Sequence, residues 1–363
     1  MNRSVTIITN VCRALLALTF IFSGYIKAID PLGTQYKIND YLAALSMADT
    51  LPGWITLTVA VLLAALEFSM GVFMLCAIRR RLTTRVTLIF MTIMTLITVW
   101  IAVANPVKDC GCFGDALVLT NWQTFWKNIV LLSLVIVLLV CRKAIPQTFS
   151  WWAEIVIAGI GLGALIGVMC YSYNHLPPMD FRPYKIGNHI PTLMEIPEDA
   201  EPDVYETTLI YEKDGQQETF TLENYPKGDS TWHFVDQKSV LVKKGYEAPI
   251  HDFEIMTMDF EDITYDILES EEAVTLIAMY DLKKTDLEQI SKVKELLENN
   301  QPCYLLTGSG EEEIENFCME HGIDEQAFCT IDPVTLKTVV RANPGVFVVQ
   351  NGTIIDKYNL KNY

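Results

Sequence analysis

Zinc-site spacing is missing from this 363-residue sequence: its nine cysteines include no pair of CxxC motifs. Histidine is scarce as well, five in all, and each stands apart from the others and from the cysteines, so no His/Cys ligand set is in view. Basic residues run short in the second part of the chain. Residues 172–363 hold 15 Lys/Arg against 37 Asp/Glu, a net of −22, whereas residues 1–171 hold 12 against 7, a net of +5. So acidic a tail repels nucleic acid and anionic lipid alike, which removes both as its partners. The first part lacks charge over long stretches, and apolar residues fill them: hydrophobic residues make up 51% of the chain.

Five such runs stand at about 6–26, 54–77, 86–104, 122–140 and 151–171. Each is roughly 18–24 residues, the length a helix rising 1.5 Å per residue needs to cross a hydrocarbon core of about 30 Å. Trp54, Trp122, Trp126, Trp151, Trp152 and Tyr171 sit at their ends, where interfacial anchors belong. The first run lacks a small-residue cleavage site and has Lys27 and Asp30 in its place, so it reads as an anchor and not a cleaved signal. Arg79, Arg80, Arg81 and Arg85 in the second connection and Arg142 and Lys143 in the fourth predict that both face the cytoplasm. The loops 27–53 and 105–121, and everything after Tyr171, then face outward. The expectation is a five-pass protein of a bacterial inner membrane, N-terminus cytoplasmic, with a periplasmic C-terminal part.

Charge within a span is costly and usually paired or functional. Arg13 and Glu67 each lie about 13 residues from the outer end of their spans, roughly 20 Å deep at the helical rise, which predicts an ion pair between them. The competing reading has Arg13 snorkelling to the headgroups and Glu67 protonated or facing a polar cleft.

The one local cysteine pair is Cys110-Gly111-Cys112, in the outward loop that runs from Asn105 to Asp115. A disulfide closed across one glycine makes a tiny strained ring, and strain makes such a bond a good oxidant and a poor staple. Gly111 and Gly114 supply the backbone freedom for the turn. Asp109 and Asp115 should raise the thiol pKa values and Lys108 should partly offset them. A purely structural turn, or a metal site using Asp109 and Asp115, is the alternative; a lone CxC rarely completes a metal shell.

Three motifs together resemble the DoxX/MauE-like membrane proteins: Phe22-Ser23-Gly24-Tyr25-Ile26-Lys27 through Pro31, Glu67-Phe68-Ser69-Met70-Gly71, and CGCFGD followed by Trp122 and Lys127-Asn128. The likeness covers roughly residues 5–141, with Lys127 where an arginine would be expected. It implies a four-helix membrane bundle with thiol or sulfur redox work on the outward side. MauE-type members are implicated in maturing a disulfide-rich periplasmic dehydrogenase and DoxX-type members in quinone-linked sulfur oxidation. The intramembrane polar set is then Arg13, Ser23, Lys27, Glu67 and Asn128, with a quinone near Ser23, Glu67 and Asn128 as the cofactor to consider.

Beyond the spans, 174–183 reads as a linker, and 206–222 as a hairpin turned by Asp214-Gly215, with further strand at 231–242. From about 248 strands alternate with helices: strands at 274–280, 303–307 and 327–331, helices at 284–299, 311–321 and 333–341, then a hairpin at 345–358. That order resembles a thioredoxin-like domain, with Pro344 in the place of its cis-proline. Where the CxxC would stand the sequence reads Asp281-Leu282-Lys283-Lys284, so this domain has no nucleophile for dithiol exchange. Cys303, Cys318 and Cys329 read as core residues.

The expected architecture is therefore an α-helical membrane bundle at 1–145, a fifth membrane helix at 146–173, a linker and β-rich segment at 174–247, and an α/β thioredoxin-like domain at 248–363. The expected function is a membrane thiol/disulfide or sulfur redox protein, with Cys110 and Cys112 as its catalytic pair and an extracytoplasmic protein as its partner. The rival is a non-enzymatic membrane scaffold or assembly factor with a structural CGC turn.

Overall fold

The computed structural model describes residues 3–363 apart from 48–49, 146–148, 214, 244 and 300–301. Its first part is helical: α1 (Arg3–Ile29), a short α2 (Pro31–Ala44), α3 (Gly53–Leu75), α4 (Arg80–Ala104), α5 (Asn121–Val140) and α6 (Trp151–Asn174). All but α2 are long and apolar enough to cross a membrane. Local chemistry sets where several begin. Asp30 caps α2 by accepting from Gly33 N–H, with Pro31 in the first turn; Thr120 and Gln123 close a capping box on α5; Ser150 caps α6. Buried threonines line α4, where Thr84, Thr87, Thr95 and Thr98 each return their hydroxyl to the carbonyl four residues back, so these four are satisfied within their own helix.

Glycine decides the central packing. A methyl group on Gly24 would lie 2.4 Å from the backbone nitrogen of Phe68, and one on Gly71 would lie 2.6 Å from that of Ile21. The backbones of α1 and α3 therefore touch, as small residues allow helices in membranes to do. α4 and α5 form the second pair. α6 packs outside, Leu165 and Met169 meeting Ala28 and Ala64. At one end of the bundle the basic connections meet: Arg80 donates to the Ile145 carbonyl and Arg79 lies 3.5 Å from Glu154.

The second part is strand-rich. β1 (Val204–Lys213), β2 (Gln216–Thr221) and β3 (His233–Lys243) form an antiparallel sheet in the order β2-β1-β3. Gly215 takes φ +79 in its first turn; Asp214, assigned to the same turn, lies outside the described residues. The larger sheet has the order β4-β7-β6-β5-β8-β9, built from β4 (Met256–Thr257), β5 (Val274–Ala278), β6 (Cys303–Thr307), β7 (Phe328–Thr330), β8 (Gly345–Gln350) and β9 (Thr353–Asn359). β5, β6 and β7 run parallel, and β8 and β9 run antiparallel beside β5. One face is covered by α7 (Ile190–Met194), α8 (Thr264–Leu268) and α11 (Pro333–Val339), the other by α9 (Ile290–Asn299) and α10 (Glu311–His321). β5 is buried along its whole length, which is why it reads as an unbroken apolar run.

Two expectations need correction. The connection 27–53, expected as a loop, contains α2. The helix expected from residue 284 begins only at Ile290, because residues 282–289 turn tightly, with Asp286 accepting from Glu288 N–H.

Gly71→Ala should separate α1 from α3 and destabilise the protein by about 1–3 kcal/mol, the usual cost of overpacking. Gly163, which has nothing within 4 Å of an added methyl, is the control. Thermal unfolding in detergent should show a lowered midpoint for Gly71→Ala and none for Gly163→Ala.

Candidate functional site

Two helices grip the CGC loop, each through side chains one turn apart. From α1, Lys27 Nζ donates to the Cys112 carbonyl at 2.6 Å and Ser23 Oγ lies 2.7 Å from the same oxygen. From α2, Tyr41 donates its hydroxyl to the Cys110 carbonyl at 2.8 Å and Lys37 pairs with Asp109 at 3.0 Å. Side chains at i and i+4 share one helix face, so each helix presents a two-point clamp. Within the loop Asp109 accepts from Gly111 N–H at 2.7 Å. Gly111 has φ +64, and an added Cβ would meet the Lys37 stem at 2.8 Å, so glycine fits there on both counts.

Glu67 on α3 completes the grip. Its Oε2 lies 2.8 Å from Lys27 Nζ, with both side chains buried. An ammonium has three donors, and here each has an acceptor: Glu67 Oε2, the Cys112 carbonyl, and Ser23 Oγ at 2.8 Å. Ser23 in turn sits 2.7 Å from Glu67 Oε2.

The Arg13–Glu67 pair is not formed. Arg13 donates to the carbonyls of Met74 and Leu75 at the far end of α3. Equal depth holds only if the helix ends are level, but the close contacts set Gly24 against Ala64 and Phe68, and Gly71 against Ala17 and Ile21. That register carries Arg13 past Glu67 to the end of α3 and brings Lys27 to Glu67 instead.

The Cys110 and Cys112 sulfurs lie 2.7 Å apart. The hydrogen bond from Cys110, helped by the Lys127 and Lys27 ammoniums against burial, pushes the Cys112 thiol below its ordinary value; Cys110, as the donor, is pushed up. The expected influence of Lys108, Asp109 and Asp115 is redistributed, since Lys108 pairs with Glu247 at 3.0 Å, Asp109 with Lys37, and Asp115 with Arg341 at 3.4 Å. Lys127 instead stands 4.3 Å over the Phe113 ring, next to the pair. The other cysteines offer a contrast: burial pushes the Cys303 thiol up to about 12 and that of Cys329 to about 11.

A cavity of about 480 Å³ opens beside the sulfurs, apolar at Leu63, Met94, Ile97 and Trp100 and polar at Lys27, Tyr41 and Glu67. Asn128 is buried nearby on α5 and donates to Thr98, which lines the cavity. Pro344 follows a cis peptide bond. Asn343 bonds to the Asp281 carbonyl, and Arg341, two residues before Asn343, reaches Asp30 on the bundle at 2.9 Å. Tyr36, Lys37, Tyr41 and Arg341 were not singled out from the sequence. The Asp30-Pro31 start of α2 was a legible signal for the first three; Arg341 carried none.

Residues 5–141 match the family model described as methylamine utilisation protein MauE. The MauE-matched segment contains α1 to α5 and with them the whole grip on the CGC loop. Residues 205–244, the three-stranded sheet, match a domain of unknown function, DUF8463. No curated protein and no solved structure matches the chain.

Breaking one half of a buried ion pair strands the other charge, at about 3–5 kcal/mol. Lys27→Met should lower the unfolding midpoint in detergent severely, and adding Glu67→Leu should recover much of the loss. A double variant no better than Lys27→Met would show that Glu67 does not depend on Lys27.

Proposed function

We propose that this chain is a membrane thiol–disulfide oxidoreductase in which Cys110 and Cys112 exchange electrons with the cysteines of a protein partner. One observation carries the reading: two sulfurs in contact at 2.7 Å, on a loop whose cysteine carbonyls are both held by neighbouring helices. In the proposed step a partner thiolate attacks the oxidised pair, and a mixed disulfide forms as the Cys110–Cys112 bond breaks. The partner's second thiolate then attacks that mixed disulfide, leaving the partner oxidised and the pair as two thiols. Two electrons and two protons pass from partner to pair. The name of the matched family ties its members to methylamine utilisation; for this chain we carry over a membrane setting and redox chemistry, with no amine substrate.

The orientation we infer puts the CGC loop and the C-terminal part outside the cytoplasm. The basic connections that contact one another at the opposite end support it. The order of the larger sheet and its parallel β5-β6-β7 core support a thioredoxin-like reading of the C-terminal domain. Having no CxxC, it would recognise the partner and not react with it. Reoxidising the pair requires a two-electron acceptor, and a lipid-soluble quinone fits the apolar lining at Leu63, Met94, Ile97 and Trp100, with Lys27 and Tyr41 at the polar end. When bound it would accept the electrons and protons of the two thiols.

Trapping thiols in cells tests the reading. Cys110 and Cys112 should shift between dithiol and disulfide as the redox background changes, and Cys110→Ser or Cys112→Ser should abolish partner oxidation while expression stays normal. One unchanging state in every background, with an active double serine variant, would favour the scaffold reading. A reporter active only outside the cytoplasm should be silent when fused at Arg81 and active after Tyr363; activity at Arg81 would overturn the orientation.

A further inference from the structure

The C-terminal domain closes over the redox loop through one buried cation. Arg341, 7% exposed, follows α11 and reaches across to the bundle, its Nε 2.9 Å from Asp30 and its Nη2 3.4 Å from Asp115. The two carboxylates occupy strategic places. Asp30 caps α2, the helix whose Lys37 and Tyr41 hold Asp109 and Cys110. Asp115 stands three residues after Cys112, in the short turn Gly114–Ala116 that ends the loop. One guanidinium thus ties the helix that holds the first cysteine to the turn that follows the second. A planar fork with several donors is suited to bridging two carboxylates, as a lysine is not.

The contact has the character of a built joint. Burial opposes the Asp30 carboxylate, yet Arg341 and Arg182 hold its pKa below the usual value, so the pair stays charged. Tyr36 of α2 and Tyr280, two residues after β5, meet hydroxyl to hydroxyl at 3.0 Å. Lys337 stands over both rings, at 5.7 and 5.6 Å. At the rim Lys108 of the loop pairs with Glu247 just before the domain, where Glu247 also faces His251. The side of the domain that carries Pro344 and the residues standing in for a CxxC is therefore turned to α2 and the CGC loop.

We propose that Arg341 is a positioning residue for the Cys110–Cys112 pair, and that the C-terminal domain is a fixed part of the redox site, not a mobile carrier. This rests on the thiol reading of the loop. By fixing α2 and Asp115 together, Arg341 holds the two sulfurs at bonding approach, which favours the disulfide over two separated thiols. Without it α2 and the Gly114–Ala116 turn are no longer tied to each other and the sulfurs spend more time apart.

The test uses the full chain in detergent, equilibrated with glutathione buffers of graded ratio, with the state of Cys110 and Cys112 read by mass after alkylation. For Arg341→Gln the equilibrium constant for forming the disulfide should fall about tenfold, the scale of one lost charge-assisted hydrogen bond. Arg341→Lys should recover part of it. Asp115→Asn, which removes one arm only, should shift the constant in the same direction by less and serves if Arg341→Gln does not fold. In a second arm, carbodiimide coupling of Lys108 to Glu247 locks the domain in place, and the coupled protein should still exchange electrons with a small dithiol. Equal constants in wild type and folded variants would overturn the positioning role. Loss of exchange on coupling would overturn the fixed domain. A wild-type pair that never changes state would instead sink the thiol reading and the inference with it.

Discussion

A buried ammonium with three acceptors is the constraint on which this site depends. Lys27 is 5% exposed and Glu67 6%, so each charge has lost most of its water. Removing two such groups from water costs several kcal/mol apiece, and their attraction offsets that only when the geometry is good and every donor is used. Here the third donor goes to the Cys112 carbonyl, so the stability of the bundle and the position of the CGC loop rest on the same nitrogen. The glycine contacts between α1 and α3 make it possible, because only touching backbones bring Lys27 to Glu67.

The rest of the site follows from that anchor. With Cys112 fixed from α1, the loop turns back under Lys37, and α2 takes hold of Cys110. The α2 cap at Asp30 then meets Arg341 from the far domain, so Glu67 and Arg341 are linked through the loop and α2. In the function proposed, the two cysteines are the exchangeable element within that link. The hydrogen bond from Cys110, with Lys127 and Lys27 beside it, favours the Cys112 thiolate against burial and Glu67; Cys303 and Cys329 sit in apolar cores that disfavour theirs.

The sequence showed what depends on local pattern. Five apolar runs became five helices because length and hydropathy are sufficient for that inference. Cys110 and Cys112 were legible from spacing, and Ser23, Lys27 and Glu67 from the motifs that carry the family likeness. Pairing was another matter. Arg13 was assigned to Glu67 because helix depth was counted from run ends, while the register was set by Gly24 and Gly71 against opposing backbone, which no count reveals. Helix α2 is too short to show a strong pattern, although Asp30-Pro31 is a good start signal. Arg341 lies 311 residues from Asp30, and nothing along the chain announced their meeting. The absence of a CxxC after β5, by contrast, was plain from sequence and is what turns attention to the loop.

The central claim is that Lys27 couples the buried ion pair to the chemistry of Cys112. The most direct measurement is the rate of alkylation of the reduced loop against pH, followed at Cys112 by mass, in wild type and in the Lys27→Met/Glu67→Leu variant. Wild-type Cys112 should form its thiolate at a lower pH than an ordinary cysteine, and in the variant Cys112 should be alkylated faster at saturation, its carbonyl released. Superimposable profiles would contradict it.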